Sequence, residues 1–110
     1  MSETGCCIVY VTVGNEEEGR RVASALVESK LVACANIIGP IRSLYWWEGK
    51  VQDDPEMLLM MKTRDELFDR VEAKVKEVHS YEVPEIIAAP IEAGHAPYLD
   101  WIEETTRKNE

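Results

Sequence analysis

Two short hydrophobic runs, Cys6–Val13 and residues 57–61 (MLLMM), most constrain how this chain can fold. Neither run alternates regularly between apolar and polar residues. Successive side chains of a strand point to opposite faces of its sheet, so strands like these are apolar on both faces. We therefore predict a sheet that must be covered on both sides.

Two helices are predicted from N-terminal capping patterns followed by apolar stripes. Asn15 with Glu18 and Thr63 with Glu66 each match a capping box, in which a polar side chain caps the first turn. The first helix is expected to end near Ser29–Lys30 and the second at His79–Ser80. Their apolar stripes are Val22, Ala23, Leu26 and Val27 in the first, and Leu67, Phe68, Val71, Val75 and Val78 in the second.

The middle of the chain predicts a long β-hairpin whose tip stands clear of the monomer. Gly39-Pro40 interrupts its first strand, which favours a bulge or bend. We expect a delay at residues 53–55 before the return strand is completed. The predicted segments are a strand at 32–38 that resumes at 41–47, a turn at 48–50 and a return strand at 56–62.

The C-terminal third predicts one more strand and one more helix. The strand is expected at 85–91, with Pro90 marking its end or an edge of the sheet. Pro97 is well placed in the first turn of the helix. Its predicted inner side is Tyr98, Trp101, Ile102 and Thr105, and its predicted ion pairs are Glu103–Arg107 and Glu104–Lys108.

The order of elements indicates an α+β fold. Strand, helix, strand, strand, helix and strand form a ferredoxin-like βαββαβ sandwich, here with a long β2–β3 hairpin and an extra C-terminal helix, in a single domain over residues 1–110. Two helices cover one face of such a sheet. The C-terminal helix is too short to cover all of the other face, so we expect the chain to oligomerise through it.

Charge and cysteine content exclude some classes of function. The chain has 21 acidic and 12 basic residues and a net charge of −9, which disfavours nucleic acid and anionic membranes as partners. No signal peptide and no apolar run long enough to span a bilayer is visible. Three cysteines without a C-x-x-C motif indicate reduced thiols and a cytoplasmic protein.

Five sequence segments resemble the CutA family. They are CANII at 34–38, SLYWWEGK at 43–50, KT at 62–63, YEVPEI at 81–86 and YLDW at 98–101, in the same order and at matching spacing. The resemblance implies a ferredoxin-like fold and a very stable homotrimer, similar to the PII signalling proteins, whose hairpins embrace neighbouring subunits. It also implies a role in divalent-cation tolerance, chiefly towards copper, with no reaction attached.

His79 and Cys34 are the candidate metal ligands, because imidazole and thiolate suit copper and zinc. The alternative for His79 is a residue at a helix C-terminus, and the alternative for Cys34 is a small core residue. The copper site proposed for some bacterial relatives implies two further ligands, a second histidine and a cysteine of the first strand. This chain has Val78 and Val11 at those positions.

Other residues have weaker claims to a function. Tyr45 and Trp47 are candidates for a ligand platform or for subunit contacts, and Lys50 for an anion or for pairing with glutamates. Glu56, with Glu48, Glu82 and Glu85, is a candidate for a hard cation. The core is the favoured place for Met57, Met60 and Met61, and of Cys6 and Cys7 one is expected in the core and the other near the surface.

Three functions remain open at this point, and none is enzymatic. No nucleophile elbow, P-loop, dinucleotide fingerprint or zincin motif is present, so no catalytic residue or organic cofactor is predicted. The first hypothesis is a trimer that binds copper or another divalent cation in clefts between subunits. The second is a PII-like small-molecule sensor with sites near Tyr45, Trp47 and Lys50. The third is a stable trimeric scaffold or anchor.

Overall fold

A computed structural model describes residues 2–107 and confirms the α+β, ferredoxin-like architecture. The four strands form one antiparallel sheet in the order β2-β3-β1-β4. A 3₁₀ turn at Asp65–Leu67 leads into the second helix. The elements are β1 Cys6–Val13, α1 Glu16–Glu28, β2 Cys34–Trp47, β3 Lys50–Arg64, α2 Phe68–Val78, β4 Ile86–Pro90 and α3 Ala96–Arg107.

Helix α1 begins as its capping pattern predicts, whereas α2 does not. The Asn15 side chain accepts a hydrogen bond of 2.8 Å from the Glu18 N–H. The prediction of a second capping box at Thr63 and Glu66 is wrong, because Thr63 still belongs to β3 and pairs with Cys7. The buried Thr63 hydroxyl instead donates to the Leu31 carbonyl at 2.6 Å.

The hairpin is longer and more regular than predicted. Its bulge lies at Gly39 as expected, where a Cβ atom would come within 2.9 Å of the Met57 sulfur and φ is +146°. The turn contains two residues rather than three, since Lys50 already pairs with Trp47. The predicted delay at residues 53–55 is also wrong, because Pro55 already belongs to β3 and pairs with Arg42 of β2.

Proline is tolerated at position 55 because this part of β3 pairs with β2 on one side and has no strand on its other side. The pairing of β1 with β3 ends at Val13–Met57, so residues 41–56 form a ribbon of only two strands. This ribbon extends a molecule whose dimensions are 43 × 25 × 22 Å.

The main core lies between the sheet and helices α1 and α2. Alternate residues of β1 point into it, and Cys7 is one of them, whereas Cys6 packs with Ala33 and Ile102 beneath α3. The expectation that one of the adjacent cysteines lies near the surface is therefore wrong, since both are buried. Met57 and Met61 are buried in the core as predicted, and Met60 is half-buried.

Helix α3 covers only part of the opposite face of the sheet. Its buried residues are Ile102, which was predicted to face inwards, and Thr106 in place of the predicted Thr105. Tyr98 and Trp101 of the predicted inner side are exposed. The predicted Glu103–Arg107 pair forms at 2.6 Å, and Lys108 lies outside the described residues. Apolar side chains remain exposed here, including Ile38 at 39% and Ile87 at 55%. No helix in the described part of the chain is long and apolar enough to cross a membrane.

Candidate functional site

A groove of about 670 Å³ lies between the base of the hairpin and the segment that connects α2 to β4. Three stretches far apart in the sequence form it: the end of β1, the hairpin strands, and residues 81–85. A volume of this size is typical of small-molecule sites. The lining residues are Thr12, Arg42, Ser43, Leu44, Tyr45, Trp47, Glu56, Tyr81, Glu82, Val83 and Glu85.

Glu56 is the buried polar residue of the groove. Its side chain lies on β3 just before the core begins at Met57, and the residue is only 8% exposed. The Tyr81 hydroxyl donates a hydrogen bond of 2.8 Å to its Oε2 atom. Burial, followed by this hydrogen bond and the negative charge of Glu56, raises the pKa of Tyr81, which therefore stays a donor.

His79 joins the groove to β1 through both of its ring nitrogens. Nδ1 accepts a hydrogen bond of 3.0 Å from the Tyr81 N–H, so the ring proton lies on Nε2 and is donated to the Thr12 carbonyl at 2.7 Å. The imidazole also packs against the Tyr81 ring, with centroids 4.7 Å apart. The ring could bind a metal only by giving up one of these hydrogen bonds.

Glu18 fixes the loop that carries His79 and Tyr81. Its carboxylate accepts hydrogen bonds from the Gly14 N–H at 3.3 Å and from the Ser80 N–H at 2.8 Å. Burial alone would raise the pKa of Glu18, but the hydrogen bonds from Ser80 and Gly14 outweigh it, and the pKa lies below its ordinary value. The residue predicted as the glutamate of the Asn15 capping box thus connects two loops beside the groove.

The hairpin supplies the other wall of the groove. Arg42 is held by Asp53 through two hydrogen bonds of 2.8 and 3.0 Å. The Tyr45 hydroxyl donates to Asp54 at 2.8 Å, which raises the pKa of Tyr45. Of the four predicted cleft residues, Tyr45, Trp47 and Glu56 line the groove, whereas Lys50, the first residue of β3, lies outside it.

The two predicted metal ligands are not brought together within one chain. Cys34 lies 3.6 Å from the Tyr98 hydroxyl, and its partner across the sheet, Lys62, also pairs with Ile8. His79 is hydrogen-bonded to the carbonyl of Thr12, which lies four residues beyond Ile8 on β1. Four residues of a strand span about 13 Å, at ~3.3 Å per residue. Residues 2–107 contain no group of three or more His, Cys, Asp or Glu side chains that could hold a metal ion. The assignment of His79 and Cys34 as ligands stays a prediction.

Sequence reasoning missed the residues that organise the groove. Tyr81 lies in one of the segments that carried the resemblance, but nothing in the local pattern connected it with Glu56, 25 residues away. Glu18 was interpreted only as part of a helix cap. Arg42 and Thr12 gave no signal, because each lies in an ordinary strand pattern.

Comparison with known proteins finds relatives that all carry the same family name. The family model described as CutA1 divalent ion tolerance protein matches residues 7–105. The chain is 51% identical over 102 residues to the chloroplastic protein CutA 1 of Oryza sativa, covering 93% of the chain but 58% of that relative. It is 46% identical over 99 residues to the divalent-cation tolerance protein CutA of Thermus thermophilus, covering 90% of the chain and 96% of the relative.

Solved structures agree with these matches. The crystal structure of CutA1 from Oryza sativa superposes with a TM-score of 0.91 at 50% identity, covering 94% of both chains. The structure of the periplasmic divalent cation tolerance protein CutA from Archaeoglobus fulgidus superposes with a TM-score of 0.89 at 46% identity, covering 92% of this chain and 98% of that one. The likeness therefore extends over nearly all of the described fold.

Proposed function

This chain belongs to the CutA1 divalent ion tolerance family, and we propose that it acts in divalent-cation tolerance as a homotrimer that binds the cation in or near clefts between its subunits. The observation that carries the proposal is the match over residues 7–105 to proteins named for divalent-cation tolerance. The trimer, the cleft and a preference for copper are the proposed refinements. The predicted cytoplasmic location stays a prediction, since two relatives are named chloroplastic and periplasmic.

The exposed apolar surface supports assembly of several copies. The sheet face beside α3 leaves Ile38 and Ile87 open, and the hairpin tip leaves Trp46 74% exposed. Several large apolar side chains exposed in this way are typical of an interaction site. Association of identical chains through the open face and the hairpin would bury it, in a closed symmetric assembly.

The donor inventory supports ligands from more than one chain. Since a single chain, as far as it is described, holds no group of three His, Cys, Asp or Glu donors, a site built from three such side chains would take donors from a second copy. The thiol of Cys34 and the imidazole of His79 would favour copper or zinc, whereas the carboxylates of the groove would favour harder cations.

Native mass spectrometry of the metal-free protein tests the proposal. A trimer is expected, and titration with Cu(II), Cu(I) and Zn(II) is expected to add a fixed number of ions per trimer. His79→Ala is compared with His95→Ala, which changes the exposed histidine before α3, and with Cys34→Ala. Circular dichroism checks that His79→Ala, which loses two hydrogen bonds, remains folded.

Each outcome of this titration decides one part of the proposal. Loss of uptake in His79→Ala or Cys34→Ala alone would assign that residue to the site. Uptake that survives both changes would remove both residues from the site and leave the cation role. A trimer that takes up no ion would refute cation binding, and a stable monomer would refute the assembly.

A second candidate function is small-molecule sensing, and the groove of about 670 Å³ favours it. Aromatic side chains and a few polar groups converge there, as they do in ligand pockets. A rise in melting temperature with an organic ligand but none with metal ions would support this candidate over the first. A trimer that responds to neither would leave the third hypothesis, a scaffold or anchor protein.

A further inference from the structure

We propose that the groove at the hairpin base binds a small organic cation, with a primary ammonium group against Glu56 and an apolar body against Tyr45 and Trp47. The proposal rests on the small-molecule candidate function of this groove, and it names the chemical class of the ligand. It is argued from the charge of the lining, the burial of Glu56, and the aromatic walls.

The lining is acidic and its one basic residue is already paired. Glu56, Glu82 and Glu85 line the groove, and within residues 2–107 none of them forms an ion pair. Arg42 is the basic residue of the lining, and Asp53 holds it through two hydrogen bonds. The groove therefore attracts cations and repels anions such as nucleotides, in keeping with the chain's net charge of −9.

Glu56 supplies a specific contact at the inner end of the groove. Its Oε2 atom is occupied by the Tyr81 hydroxyl, whereas Oε1 receives no hydrogen bond from any described residue. A carboxylate that is about nine-tenths buried is stabilised by a charged donor. An ammonium group carries three donors and can reach Oε1 while the bond from Tyr81 is kept.

Aromatic rings provide the remaining surface. In the single chain, Tyr45 and Trp47 keep 40% and 47% of their surface exposed, and Tyr81 adds a third ring to the lining. Aromatic faces attract ammonium groups and also pack against an apolar body. A bare metal ion would leave these walls unused and finds no three-donor cluster in the described chain.

Isothermal titration calorimetry with four probes tests the proposal. The probes are 2-phenylethylamine, its neutral analogue 2-phenylethanol, the anion 3-phenylpropionate, and ATP. We expect the amine to bind about tenfold or more tightly than the alcohol, since hydrogen bonds to charged groups exceed neutral ones by that order. The two anions are expected to bind more weakly than the alcohol, and added salt is expected to weaken only the amine.

Variants locate the ammonium group. Glu56→Gln keeps the size of the side chain and an oxygen that can accept from Tyr81, and we expect it to weaken amine binding about tenfold while leaving the alcohol unchanged. Glu92→Gln removes an exposed carboxylate outside the groove and is the matched control. Should Glu56→Gln unfold, Glu85→Gln on the rim is expected to weaken the amine about threefold.

The outcomes separate the ligand class from the candidate function. Equal binding of amine and alcohol, or amine binding unaffected by both Glu56→Gln and Glu85→Gln, would overturn the organic-cation proposal. Tighter binding of ATP or 3-phenylpropionate would also overturn it and leave small-molecule sensing in place. Absence of binding by all four probes would overturn the proposal, and failure of a wider ligand panel would then refute small-molecule sensing itself.

Discussion

Replacement of Glu18 by glutamine should destabilise the fold far more than its position in the first turn of a helix suggests. The carboxylate accepts from Gly14 through Oε1 and from Ser80 through Oε2, and its side chain is only 6% exposed. Glutamine has one acceptor oxygen. Whichever way the amide is turned, its NH₂ group faces one of the two backbone N–H donors.

The expected loss follows from the contacts removed. A hydrogen bond to a charged group contributes about 1.5–3 kcal/mol, and Glu18→Gln removes one such bond and weakens the other. We therefore expect a loss of about 2 kcal/mol in the free energy of unfolding, or roughly 8 °C in melting temperature for a domain of this size. Glu17→Gln removes an exposed carboxylate from the same turn and should lower the free energy of unfolding by about 0.5 kcal/mol.

The pH dependence provides a separate check. Because the pKa of Glu18 is lowered in the folded protein from its ordinary value of 4.5, the carboxylate stabilises the fold fully above that value. This contribution is lost as the pH falls through the lower folded pKa, so wild type and Glu18→Gln should converge in acid. Urea unfolding at fixed protein concentration measures both effects. Equal stability at pH 7, or a gap that widens in acid, would refute the assigned role of Glu18.

Three further predictions follow from buried groups. Thr63→Val leaves the Leu31 carbonyl without its buried donor and should lower the free energy of unfolding by about 1–3 kcal/mol in urea titrations; an unchanged midpoint would contradict this. Ile102→Ala should lower the free energy of unfolding by about 3 kcal/mol, because it opens a cavity beneath α3. Replacement of the half-exposed Thr105 by alanine should change the free energy of unfolding little, so equal losses in the two variants would refute the observed helix face. Burial, with the nearby charge of Asp65, raises the pKa of Cys7 to about 12, so that about one thiol in 10⁴ is ionised at pH 8. In native protein, mass spectrometry should find Cys7 alkylated by iodoacetamide far more slowly than half-exposed Cys34, and equal rates would contradict the burial of Cys7.

The sequence predicts well what local periodicity determines. The boundaries of β1 are those expected from its apolar run, and Asn15 caps α1 as its pattern indicates. The bulge at Gly39 was also predictable, because a glycine-proline pair rarely continues a regular strand. The need for a cover on the second sheet face followed from strands that are apolar on both sides.

Errors arose where distant segments decide the local structure. Thr63 is a good helix cap by residue type, but pairing with Cys7 keeps it in β3 and its hydroxyl bonds to Leu31. Pro55 was expected to delay a strand because the absence of a neighbour on one side of the ribbon is not visible in the sequence. Tertiary contacts override local propensity at both positions.

The groove could be anticipated only in part. Tyr45, Trp47 and Glu56 were named as candidates from residue type, and all three line it. The contact between Tyr81 and Glu56 depends on how the loop after α2 folds back over β3, which no spacing rule encodes. The hydrogen bonds at both ring nitrogens of His79 likewise depend on this fold and could not be predicted from the sequence.

The two-stranded ribbon at residues 41–56 offers a way to follow the proposed association of copies of this chain. An isolated pair of strands is marginally stable in water, because it has no third strand or helix to pack against. Its backbone amides should therefore exchange with deuterium quickly in a lone chain and slowly once a second copy lies on the ribbon, whereas those of β1 stay protected by the core. Exchange at the ribbon is expected to slow as the protein concentration rises, which gives a residue-level measure of assembly without any label.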